Sequence, residues 1–200
     1  MRKDLFNGRM LGICGAFAVL LSGLAAGPAL ADQNQAPCSV PQLSQPFAAA
    51  GDLNAYMLAP GQAADNFNGS GWTLSGGAQI VTTQLADGQT GQVLDLPSRS
   101  QAVSPTFCVR SNFPTARAMV NAVTGNEGVQ VSVSNNRTGG GAIGVGVLKP
   151  SQPGWTISDP FDTGASTAFG QQQVQFTFTA AGTSSEYQVY DFYVDPRMKG

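Results

Sequence analysis

From Trp72 onward, apolar and polar residues alternate with a period of two. Val129, Val131 and Val133 alternate with Gln130, Ser132 and Ser134, and Val174, Phe176 and Phe178 with Gln175, Thr177 and Thr179. Such alternation predicts strands that bury one face and expose the other. Shorter runs at 78–83, 93–96, 102–109, 116–123, 143–147, 155–157 and 187–194 read the same way, with Pro97 ending the second. Turn clusters separate them: Asp87-Gly88, Gly125-Asn126, 135–141 and Ala181-Gly182. About nine short strands, with no amphipathic helix of useful length, predict an all-β fold. The expected form is a two-sheet antiparallel β-sandwich, arranged as a jelly roll. Val131, Val133, Phe176, Phe178, Phe192 and Val194 are its expected core. Residues 48–57 fit a helical turn or a short edge strand.

The first residues follow a different pattern. Arg2, Lys3 and Arg9 precede an uncharged apolar run from Leu11 to Ala26, and Ala29-Leu30-Ala31 follows Pro28. A basic start, a short apolar stretch and an Ala-x-Ala site predict a signal peptide over 1–31, cleaved before Asp32. The run falls short of the roughly 20 residues that span a bilayer. Cys14 sits inside it rather than at its end, where a lipidated cysteine belongs. The expected product is secreted and keeps no membrane span. Residues 32–46, with Pro37, Pro41 and Pro46, read as an irregular arm, and 47–200 as the sandwich domain.

Past Ala31 the chain carries seven basic residues against eleven acidic ones, an excess of four negative charges. They are scattered, so no basic stripe tracks phosphates, and nucleic acid is excluded as a partner. Cys38 and Cys108 are the two cysteines left after cleavage. In an oxidising compartment an even pair predicts a bridge, stabilising by ~4 kcal/mol for a loop of this size. Oligomeric state is left open.

Enzymatic chemistry is hard to assemble from these residues. The chain has no histidine, which removes Ser-His-Asp and Cys-His catalysis and the common zinc sites. Gly139-x-Gly141-x-x-Gly144 matches a dinucleotide fingerprint literally. It lacks the strand before and helix after that the motif requires, so it reads as a hairpin. Asp162-Thr163-Gly164 resembles half of an aspartic-protease dyad, but no second copy exists. Glu127 and Glu186 sit in turn-rich segments, with nothing to pair either for glycoside hydrolysis. No catalytic residue is assigned. The sequons at Asn68 and Asn136 are formal matches only.

Aromatic side chains remain as candidates for a site. Trp72 reads as core. Trp155 follows Pro153-Gly154 on an expected loop, where its ring is free to stack on a sugar. Trp155, with Gln152 and Asp159 as polar neighbours, is therefore the expected ligand site.

Two stretches add a resemblance. Asn66-Phe67-Asn68-Gly69-Ser70-Gly71-Trp72 and the closing 189–196 resemble the opening and closing strands of galactose-binding-like and carbohydrate-binding β-sandwich modules. More specifically, the chain resembles a family of secreted bacterial β-sandwich proteins of unassigned function. The shared features read here as Cys38, Gly71 to Ala78, Ser104 to Val109, and Val194 to Pro196. The resemblance implies a non-catalytic module that binds cell-wall or extracellular glycan. The competing expectation is a structural or adhesive envelope protein that binds other proteins. Such modules often hold a structural calcium, for which Asp65 and Asp191 are the implied ligands. Two acids usual in that role are replaced here by Asn68 and Tyr190.

Overall fold

In the computed structural model, residues 41–135, 141–165 and 170–195 are described. The leader, Cys38 and the Asn136 sequon lie outside them. Fourteen strands occupy the described residues, more than the nine expected. In chain order they are β1 (Leu43–Ser44), β2 (Tyr56–Leu58), β3 (Thr73–Ser75), β4 (Gln79–Gln84), β5 (Thr90–Pro97), β6 (Gln101–Val103) and β7 (Phe107–Arg110). Then come β8 (Thr115–Thr124), β9 (Val129–Asn135), β10 (Ala142–Leu148), β11 (Thr156–Ile157), β12 (Phe161–Asp162), β13 (Gln171–Ala180) and β14 (Glu186–Asp195). One turn of 3-10 helix, Ala48–Ala50, lies between β1 and β2.

The surplus has physical causes. The 102–109 run is two strands, β6 and β7, because Pro105 has no N–H for the ladder. The residues 41–46 of the supposed irregular arm contain β1, which pairs with β2. β12 is two residues long, too short for alternation to show.

The strands form two antiparallel sheets. In the first, β14 lies between β8 on one side and β5 and β2 on the other. β4 extends beyond β5, β1 beyond β2, and β11 and β12 beyond β8. In the second, β13 lies between β9 and the collinear pair β6 and β7, with β10 and β3 at the two edges. The sheets pack face to face over the expected core. Val131, Val133, Phe176, Phe178, Phe192 and Val194 are all buried. Phe192 of the first sheet meets Phe176 and Phe178 of the second at centroid distances of 5.1 and 5.2 Å. Trp72 is buried beside Phe67 and Phe178, with its indole N–H on the Pro60 carbonyl.

One irregularity matters for function. Between Tyr190 and Tyr193 the β14 register slips by a residue against β8, and Asp191 takes a φ of 51°. This bulge inserts one residue, so Val189 and Phe192 both face the core although three positions apart. The Gln62 side chain fastens the displaced backbone, donating to the Phe192 carbonyl and accepting from the Phe192 N–H. Tyr190, ahead of the slip, takes the outer face by ordinary alternation while staying buried against the main core cluster, and the slip turns Tyr193 to that same face. There Tyr193 joins Phe47 and Tyr56 in a second, smaller apolar cluster.

Candidate functional site

On that outer face lies a cleft of about 550 Å³. This volume is within the range of small-molecule sites. Its floor is Met119 of β8 with Tyr190 and Asp191 of β14. One wall is the 3-10 turn, with Phe47 and Ala50; another is the β4–β5 turn, with Ala86 and Asp87. The segment from Ser151 through Trp155 to Ile157 closes the remaining side, and Asp65 stands at the rim.

Trp155 is half-buried and rigidly held. Its ring meets Tyr190 edge-to-face, centroids 4.7 Å apart, and its indole N–H donates to the Gln84 carbonyl at 2.9 Å. Tyr190 is fixed in turn, its hydroxyl accepting from the Ala86 N–H. The two aromatic rings thus tie the β10–β11 segment to the β4–β5 turn across the end of the sheet. Gln152, exposed, lines the same cleft. Asp159 is also exposed but does not line it; its carbonyl accepts from the Ser158 hydroxyl.

The structure also brings Asp65 and Asp191 together. The backbone N–H of Asp65 donates to Asp191 Oδ1 at 2.9 Å. Asp191 is 6% exposed, because β14 is a central strand of the first sheet. Burial pushes its carboxyl up to about 7; the Asp65 N–H opposes this and the Asp65 charge adds to it. Burial likewise pushes the Tyr190 hydroxyl up to about 12.

As a calcium site the pair is incomplete. Calcium takes six to eight oxygens. Among the described residues no three acidic, histidine or cysteine side chains stand close enough to hold a metal ion together, and one Asp191 oxygen is already engaged by the Asp65 N–H.

Sequence reasoning missed Tyr190, Ala86 and Asp87. Asp87-Gly88 was legible as a turn, but only the strand pairing brings that turn over Tyr190. The bulge that turns Phe192 inward has one trace in the sequence, the three-residue step from Val189 to Phe192.

No family model matches the chain, and no curated protein matches it in sequence. Among solved structures this antiparallel sandwich is similar to carbohydrate-binding modules. One is the CBM22-1 xylan-binding domain from Paenibacillus barcinonensis Xyn10C, at 14% identity over 62% of this chain and 85% of that one, TM-score 0.40. Another is a family 6 module from Clostridium cellulolyticum in complex with xylose, at 15% identity over 62% and 91%, TM-score 0.40. A third is TmCBM61 in complex with beta-1,4-galactotriose, at 16% identity over 62% and 88%, TM-score 0.37. Likeness at this distance does not carry a ligand from those proteins to this one.

Proposed function

We propose that this chain is a secreted, non-catalytic module that binds glycan in the cleft floored by Tyr190 and Asp191. The observation that supports this reading is the fixed, half-buried Trp155 at the wall of a concave site that also holds Gln152 and carboxylates. A ring held on two sides loses little freedom when a pyranose stacks on it, and amide and carboxylate oxygens suit sugar hydroxyls. No residue is assigned a catalytic role in this reading, and binding needs no calcium.

A glycan array with the purified protein tests it, run with and without chelator. The expected result is retention on at least one glycan class, insensitive to chelation and lost in Trp155→Ala. Retention on none removes the reading. A second reading, an envelope protein that binds other proteins, draws on the uncharged edge strand β10, where Ile143 and Val147 are 57% and 45% exposed. Capture of one envelope protein, lost when both residues become Thr, is its expected signature.

A further inference from the structure

The charge of the cleft narrows what it takes. Asp65, Asp87 and Asp191 all line it, and among the described residues no lysine or arginine does. The base on the neighbouring outer face, Arg117, is 3.8 Å from Asp52 and so already has a counter-charge. Burial pushes the Tyr190 hydroxyl up, the Ala86 N–H opposes this, and Asp191, Asp65 and Asp87 push it further. A ligand settling here strips water from carboxylates, and charges buried without a counter-charge are costly. A neutral sugar leaves that cost unmet.

We infer that the ligand of this cleft is cationic: a glycan of amino sugars with free ammonium groups, placed between the carboxylates of Asp65 and Asp87 and the ring of Trp155. The inference rests on the glycan reading above and names the class of sugar. Each element of the site has a use for such a unit. The carboxylates give charge-assisted hydrogen bonds to the ammonium, which are stronger than bonds between neutral groups. Indole and phenol faces attract a cation within about 6 Å of the ring. Gln152 and Ser151 supply polar groups for the remaining hydroxyls. A cleft with a rigid aromatic wall suits a ring that carries an amine better than the narrow stem of a lysine.

The test is titration calorimetry of the purified protein with two oligomers of equal length, one of glucosamine and one of N-acetylglucosamine. It is run at roughly pH 6, where the amine is charged, with oligolysine as the third arm. The glucosamine oligomer is expected to bind about tenfold tighter than its acetylated form, as one or two charge-assisted contacts allow. Asp87→Asn should reduce that preference several-fold. This variant keeps the oxygen that accepts the Gln89 N–H, so the turn and the melting temperature should be unchanged. Equal or tighter binding of the acetylated oligomer overturns the inference and leaves the glycan reading standing. Oligolysine binding without glucosamine binding overturns it in favour of a basic protein. Binding that is indifferent to both Asp87→Asn and Trp155→Phe overturns it too, since the cation then sits elsewhere. Silence towards both oligomers overturns it as well, and the glycan array then decides the broader reading.

Discussion

Asp65 and Asp191, 126 residues apart in sequence, are joined by a 2.9 Å hydrogen bond from the backbone of one to the carboxylate of the other. Both are in left-handed backbone, at φ 56° and 51°. The bond pins the 61–66 loop onto the bulge of β14 and leaves a carboxyl buried at the floor of the cleft. Burial holds that carboxyl up to about 7, against an unfolded value of about 3.9. The folded state therefore binds the proton more tightly than the unfolded state does. The stability this contributes is complete below about pH 4 and is lost as pH rises through about 7. Asp191→Asn keeps the acceptor oxygen, tolerates positive φ and cannot ionise. It should match the parent near pH 4 and exceed it at pH 8 by up to about 4 kcal/mol. Denaturant unfolding across that range checks this, and parallel curves at all pH values would contradict it.

Trp155 carries both structure and binding. Because its ring packs on Tyr190 and its N–H reaches Gln84, Trp155→Ala should cost about 2–3 kcal/mol of stability as well as ligand retention. Trp155→Phe keeps a stacking ring and loses the tether. It should retain weakened binding at a cost nearer 1 kcal/mol. Unfolding and glycan retention measured on both variants separate the roles. A stability equal to the parent in Trp155→Ala would show the ring free in solution.

Gly61 is a sharper test of packing. Its φ is 83°, and a Cβ there would lie 2.4 Å from the Ser70 carbonyl oxygen and 2.5 Å from Trp72 Cδ1. The loop must therefore pass against the buried indole with no side chain between. Gly61→Ala should cost roughly 2–4 kcal/mol, combining left-handed strain with overpacking. A thermal melt suffices, and a loss below about 1 kcal/mol would mean that the loop moves aside.

The bridge expected between Cys38 and Cys108 is a covalent prediction. Cys108 lies on β7, paired through β13 to the second sheet, while Cys38 is outside the described residues. Non-reducing peptide mapping of the exported protein should recover the two linked. Reduction should lower stability by about 4 kcal/mol. Two alkylatable thiols in the folded protein would rule the bridge out.

Much of the core was legible because alternation is a local signal. Val131, Val133, Phe176 and Phe178 sit in long, regular strands, and each is where period two places it. Phe161 was not legible. It is buried from a two-residue strand that the sequence presents as a Pro-flanked turn. The site divides in the same way. Trp155 and Gln152 are close in sequence and share one wall of the cleft, whereas Asp159, only two residues beyond β11, does not line it. Asp65 with Asp191, and Ala86 with Tyr190, meet through strand pairing and a bulge. No local pattern encodes either meeting.

The cleft has for its floor the most connected strand of the first sheet. β14 supplies Phe192 and Val194 to the interior on one side and Tyr190 and Asp191 to the cleft on the other. Most binding loops are ordered by their ligand, so occupancy is felt at the surface, in segments that open easily. Here a ligand resting on Tyr190 bears on a strand paired on both sides, whose amides should open only with the sheet around it. Occupancy should then be felt as slower exchange deep in the sandwich, along β14, β5 and β8, as well as in the loops that wall the cleft.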